Sequence, residues 1–268
     1  MTADPPIVIF LHVPKACGTT LTKLLTRWFT PGEVFAVDRR KPAELRSALE
    51  ARARQHSPPL RLIVGHAAFG LHETLERPVQ YLTVLREPVQ RLFSNYRYIL
   101  RTPEHRLHAE ASSGALTLKE FAARFSDLQT RYLGGAPNIR PDADTLARAK
   151  ENLRNHFAVA GLADRFDESA LLIHRACGRK LRGFSSENVG RSEQFAETLD
   201  ASERRALCTA SELDADLWAF AQRRFETLIA GQDENFAAEL ARLRRANRGA
   251  EAIASVMRRF KPARWLAR

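Results

Sequence analysis

The chain has 268 residues, a hydrophobic fraction of 44% and a formal net charge of +11. That is enough for one full core and too apolar for a disordered chain. No apolar run approaches the ~20 residues of a membrane span. Met1 to Pro6 lack the basic region of a signal peptide, so none is expected and the cytoplasm is the expected compartment. Cys17, Cys177 and Cys208 are widely spaced and form neither a disulfide framework nor a C-x-x-C zinc pair, so free thiols and no metal are expected. The positive charge favours anionic ligands without saying which. It is unevenly spread: Ala241 to Arg268 holds nine Lys or Arg against the single acid Glu251.

The first element sets the pattern for the rest. Ile7 to Leu11 is a continuous apolar run, as expected of a parallel strand buried on both faces. Pro14 and Gly18 break it, and Leu21, Leu24, Leu25 and Trp28 then recur at helical spacing, with Thr19 or Thr20 placed to cap the first turn. A helix that starts directly after a strand offers backbone N–H groups and the positive end of its dipole to an anion. Lys15 adds a full charge, Gly18 lets the backbone approach closely, and the Thr19 and Thr20 hydroxyls can donate to phosphate or sulfate oxygens. The nucleotide loop G-x-x-x-x-G-K-[ST] does not fit, because Lys15 precedes Gly18. Without a C-x₅-R pattern, Cys17 reads as a small loop residue.

Val34 to Val37 is a short strand candidate, and Pro42 to Gln55 an exposed helix that Pro58-Pro59 stops. Leu60 to Val64 is the next buried strand, which puts His66 at its carboxyl end, the edge where open α/β sheets bind ligands. Tyr81 to Leu85 is another, and Arg86-Glu87-Pro88 turns it into a helix with Val89, Leu92, Phe93 and Tyr96 on its packing face. An Arg at a strand end and a Ser inside the following helix, here Arg86 and Ser94, can converge on one phosphate. Thr102 to Gly114 reads as a polar loop over the site edge, and Leu116 to Tyr132 as a helix carrying Gln129 and Arg131. Asp144 to Asn155 is a helix, Phe157 to Leu162 a strand, Phe166 to Cys177 an amphipathic helix, and Ser202 to Ile229 a helix. His12, His156 and His174 lie beside apolar positions and read as structural.

Two of these motifs carry a family resemblance. HVPKACGTTL resembles the HIPKTAGTSL-like loop of sulfotransferases whose donor is 3′-phosphoadenosine 5′-phosphosulfate (PAPS). LREPVQRLFSNY resembles the R-D-P-x-x-R-x-x-S-x-Y element of the same family, with Glu87 where Asp is usual. The family is sulfotransferase family 2, which includes the heparan sulfate and uronosyl 2-O-sulfotransferases and their bacterial relatives. AKENLRNHFAVAGLADRFDESALLIHR and LDADLWAFAQRRF follow it too, so the resemblance covers roughly residues 6 to 230.

The resemblance implies an α/β fold, a P-loop-like three-layer sandwich with a central, mainly parallel sheet flanked by helices and a helical C-terminal portion. It implies a sulfotransferase domain over residues 1–230 and leaves 231–268 as a basic helical extension. The activity implied is sulfuryl transfer from PAPS to an acceptor hydroxyl on a carbohydrate or glycolipid, with PAP as product and no metal. Lys15, Ala16, Cys17, Gly18, Thr19 and Thr20 would hold the phosphosulfate and Arg86 and Ser94 the 3′-phosphate, with Arg191 and Ser192 in a closing loop. Lys15 would also act catalytically, and His66 as base, since the uronosyl enzymes carry Gly-His after the corresponding strand. His72, Glu73 and Glu87 remain alternative bases. The basic tail, with Phe260 and Trp265 among arginines, suits a membrane surface or a solvated helix. No nucleic-acid partner is expected, and oligomeric state stays open. A nucleotide-dependent phosphotransferase and a non-catalytic binder of anionic polymer are the readings from other classes.

Overall fold

The computed structural model describes residues 5–37, 42–179, 181, 183–184 and 199–260, with side chains described for all of these but 42 and 251–260. Five strands, β1 (Ile7–Leu11), β2 (Val34–Ala36), β3 (Leu62–Gly65), β4 (Val79–Leu85) and β5 (Phe157–Leu162), form one sheet in the order β2-β3-β1-β4-β5. Every pairing is parallel, with Ile9 opposite Ile63 on one side and Tyr81 on the other. Helices cover the sheet, which is why all five residues of β1 and the last five of β4 are buried. This is the α/β architecture expected.

The connections create a crevice. From β1 the chain passes through α1 (Gly18–Thr26) to β2 on one side, and from β4 it leaves towards β5 on the other. The carboxyl ends of β1 and β4 are neighbours whose chains diverge, the place where doubly wound sheets leave room for a ligand.

Between β2 and β3 lies α2 (Leu45–Ala53). The long β4–β5 connection carries α3 (Pro88–Leu100), α4 (His108–Ser112), α5 (Leu118–Arg124), α6 (Leu128–Leu133) and α7 (Ala143–Asn155). After β5 come α8 (Phe166–Ala176), α9 (Ala201–Thr209), α10 (Glu212–Ala230) and α11 (Asn235–Phe260). Helices α8 and α10 pack on β5, and α11 packs on α8. Phe236, Leu240 and Leu243 of α11 are part of the main core. A second core is separate from it: Leu92, Phe93 and Ile99 of α3 meet Leu107, Ala111, Leu116, Leu118, Phe121, Ala122, Leu207 and Ala210. No helix among the described residues is long and apolar enough to cross a membrane.

Two helices expected to be continuous are each broken, and one contact explains both breaks. The expected helix over Leu116 to Tyr132 divides into α5 and α6 at Asp127, whose φ of 46° is left-handed. The expected helix from Ser202 divides into α9 and α10 around Ala210 and Ser211. At the junction the Asp127 N–H donates to the Ala210 carbonyl, and the Asp214 N–H donates to Asp127 Oδ1 at 2.9 Å. Asp214 in turn accepts from the Gln129 N–H (3.2 Å), the Thr130 N–H (2.7 Å) and the Thr130 hydroxyl (2.9 Å), so it caps α6 from another helix. Arg91 of α3, fully buried, has its Nη2 3.8 Å from Asp214 Oδ2. None of its guanidinium nitrogens makes a hydrogen bond among the described residues, so Asp214 offsets its charge by attraction alone. The stretch 102–114, expected as loop, contains the short helix α4, whose Ala111 joins the second core.

Two outcomes test this junction. Asp214→Ala removes the cap of α6 and leaves Arg91 buried without its counter-charge, so it should cost about 3–5 kcal/mol in chemical denaturation. Burial pushes the Asp127 carboxyl from 3.8 up to about 6, against the hydrogen bond from the Asp214 N–H and with help from the Asp214 charge. Within that window the folded chain holds a proton that the unfolded chain releases. This contribution is therefore full below the ordinary carboxylate pKa and lost as pH rises through about 6. Denaturation midpoints of Asp127→Asn, followed across the window and compared with wild type, should lack that fall.

Candidate active site

The loop between β1 and α1 is held in an unusual backbone shape. Lys15 and Cys17 both take left-handed conformations, with φ of 68° and 58°. Non-glycine residues adopt this at a cost of order 1–3 kcal/mol each, and such strain collects at ligand clamps. Cys17, not a Thr, occupies the N-cap of α1, and Thr19 and Thr20 lie within the first turn, Thr19 exposed and Thr20 buried. No side chain caps this helix and its first turn holds no acid. By contrast, Glu87, Thr117, Asp142 and Asp200 cap α3, α5, α7 and α9. The positive end of α1 is therefore left facing the crevice.

Gly18 is dictated by the residue beneath it. A Cβ at this position would lie 1.8 Å from the His12 ring, so only glycine fits. The His12 ring stacks on that of His66, with centroids 4.1 Å apart. His66 Nδ1 lies 2.8 Å from the His12 carbonyl oxygen, which can only accept, so Nδ1 carries the proton. The neutral ring then has Nε2 as its basic nitrogen. Gly65, just before it, has a φ of 143° and stands where a Cβ would meet Val37 at 2.7 Å. That turn carries the chain out of β3 and delivers His66 to the carboxyl edge.

Arg86 follows β4 directly and faces the loop across the crevice. Its Nη1 donates to the Lys15 carbonyl at 3.4 Å. Its backbone is gripped by the buried Gln129 side chain: the Arg86 N–H donates to Gln129 Oε1 and Gln129 Nε2 donates to the Arg86 carbonyl, both at 3.0 Å. Lys15 Nζ rests 4.3 Å from the centre of the Tyr98 ring on α3. Burial, with the nearby Arg101 and Arg86 charges, lowers the Lys15 pKa, and burial lowers that of Arg86. A cationic group so placed gains most from an anion, which would relieve both effects. Asp164, after β5, is close enough to act electrostatically on Cys17 and Arg86. Nothing local in the sequence marks it, because only the sheet order brings the β5 end beside β4.

The remaining expected residues divide. Ala16 is buried under the loop and Cys17 is exposed at its surface. Ser94 is half-buried two turns into α3, and among the described residues no hydrogen bond joins it to Arg86. Arg191 and Ser192 lie outside the described residues, as does Trp265. Of the alternative bases, Glu87 is occupied in capping α3 through the Val89 and Gln90 N–H groups at 3.1 and 2.7 Å. Glu73 pairs with Arg46 at 3.1 Å. His72 packs among Phe69, Tyr81 and His156, with Nδ1 3.1 Å from the Tyr81 hydroxyl. Tyr81 pairs with Ile9 in the middle of β1 and with Phe157 at the start of β5, so this cluster lies back from the carboxyl ends of the strands. Arg131 donates through Nη2 to the Ser126 hydroxyl at 3.4 Å.

No family model and no curated protein sequence matches the chain. Among solved structures, mouse sulfotransferase SULT7A1 complexed with PAP is similar at 13% identity, covering 95% of this chain and 90% of that one, with a TM-score of 0.37. A likeness that loose carries no weight beside the geometry.

Gly18→Ala should force the His12 ring out of its stack with His66 and lower stability by about 1–3 kcal/mol, the usual cost of overpacking a tight site. Urea denaturation measures this, and an unchanged midpoint would show that the loop floor is soft.

Proposed function

We propose that the chain is a sulfotransferase that moves a sulfuryl group from PAPS to an acceptor hydroxyl and releases PAP. The observation that supports it most is the pair of cationic anchors at one crevice, Lys15 with the uncapped start of α1 on one side and Arg86 on the other, whose Nη1 reaches the Lys15 backbone carbonyl at 3.4 Å. A donor with a phosphosulfate and a separate 3′-phosphate asks for two anion seats. These residues fit that demand: Gly18 admits close backbone approach, and the acids flanking Arg86 are a helix cap and an exposed Asp164.

PAPS supplies a sulfur centre joined to a phosphate oxygen that can leave. The S–O bond to that oxygen breaks, one to the acceptor oxygen forms, and the acceptor proton passes to His66 Nε2. Lys15 and the N–H groups of Gly18, Thr19 and Thr20 balance the charge that grows on the leaving phosphate. Arg86, assisted by Ser94, holds the 3′-phosphate in this reading. The acceptor is a carbohydrate or glycolipid hydroxyl, and the exposed Arg242, Arg245 and Arg248 of α11 suit an anionic glycan or the surface of a membrane. The setting that goes with it is the cytoplasm, with the C-terminal stretch as the contact to membrane.

Thermal melting with PAP tests the donor seat. PAP should raise the melting temperature without Mg²⁺, and Arg86→Ala should cut most of the rise. A rise with ATP only in the presence of Mg²⁺ would instead indicate a phosphotransferase, and no response to either a polymer binder. With labelled PAPS and a panel of glycan acceptors, His66→Ala should lower kcat by about 10²–10⁴-fold while PAP still binds. Full turnover by this variant would remove His66 from the mechanism.

A further inference from the structure

We infer that Gln129 is the positioning residue that aims Arg86 at its anion, with Asp214 and Arg91 fixing Gln129 in turn; this rests on the reading of Arg86 as a phosphate anchor.

Arg86 sits where β4 has ended and α3 has not begun, so neither ladder nor helix holds its peptide groups. Gln129 supplies what is missing. Its amide oxygen accepts from the Arg86 N–H and its amide nitrogen donates to the Arg86 carbonyl, at 3.0 Å each. Two opposed bonds to one residue set the orientation of its backbone, and the backbone sets the direction of the guanidinium. A single bond would leave a free rotation.

Gln129 is itself fixed. It is 1% exposed, which removes water as a competing partner. Its own N–H and the N–H and hydroxyl of Thr130 end on the Asp214 carboxylate, and Arg91 stands against that carboxylate from α3, the helix that starts two residues after Arg86. The arrangement closes a loop of contacts from Arg86 through Gln129, Asp214 and Arg91 back to the element that follows Arg86. An arginine on a flexible stem becomes a defined donor only when its root is immobile. Only glutamine's geometry does this here: glutamate has no donor for the carbonyl, and leucine offers neither bond.

The test is a double-mutant cycle on PAP affinity by calorimetry, using wild type, Gln129→Leu, Arg86→Ala and the double variant. Amide hydrogen exchange at Arg86 is followed in parallel without ligand. Gln129→Leu should weaken PAP by about tenfold, the worth of two lost hydrogen bonds. The double variant should bind no worse than Arg86→Ala alone, and exchange at the Arg86 amide should quicken. Gln129→Met, closer in length and shape but without either bond, should give the same loss, which covers the case in which the leucine variant does not fold. Additive losses, or PAP affinity unchanged in Gln129→Leu, would overturn the positioning role while leaving the donor seat intact. If wild type binds no PAP, the donor reading fails and the exchange decides: quickened exchange at Arg86 keeps the clamp, unchanged exchange removes it.

Discussion

A single buried carboxylate organises the space above the sheet. Asp214 lies at the start of one helix and ends the hydrogen-bond shortage of another, while offsetting an arginine from a third. Burying such a charge is costly unless its lone pairs are filled. Here backbone N–H groups and a hydroxyl fill them while the Arg91 charge attracts the carboxylate from 3.8 Å, so α3, α6 and α10 have one mutual arrangement with low energy. The crevice beside Arg86 inherits its shape from that arrangement. The sheet supplies the floor and the direction of the strands; the polar junction decides where the walls stand.

The second core follows from the same division of labour. The sheet's helices bury their apolar faces on β1 to β5, but α3, α4, α5 and α9 bury theirs on one another. Hence Leu92, Phe121 and Leu207, from three distant parts of the sequence, share one small cluster. Such a cluster adds a side wall to the crevice without extending the sheet.

The sequence was most legible where local rules and tertiary ones agree. Continuous apolar runs bounded by Gly, Pro or charge marked β1, β3, β4 and β5, and Pro88 behind a carboxylate marked the start of α3. Position of Lys15, Arg86 and His66 at strand ends followed from those runs. What could not be read depends on pairings between distant residues. Nothing near Asp127 announces a left-handed residue, because its reward is the Asp214 N–H and the Ala210 carbonyl, more than eighty positions away. The His12 ring looked merely structural, and its role as the floor under Gly18 appears only when the loop is folded over it. Gln129 stood out as a residue near the site, but its grip on the Arg86 backbone is a matter of 3.0 Å geometry.

Lys15 spans two bodies: its backbone belongs to the strained loop on the sheet, and its ammonium rests on Tyr98 in the helical wall. A cation on a half-exposed aromatic face is held by about 0.5–2 kcal/mol, whereas a charge-assisted hydrogen bond is worth about 1.5–3. The tether is thus weaker than the bond an incoming anion offers to the same atom. An anion that drew this ammonium away would release the loop from the wall, so in the proposed reading filling the crevice would also slacken its side.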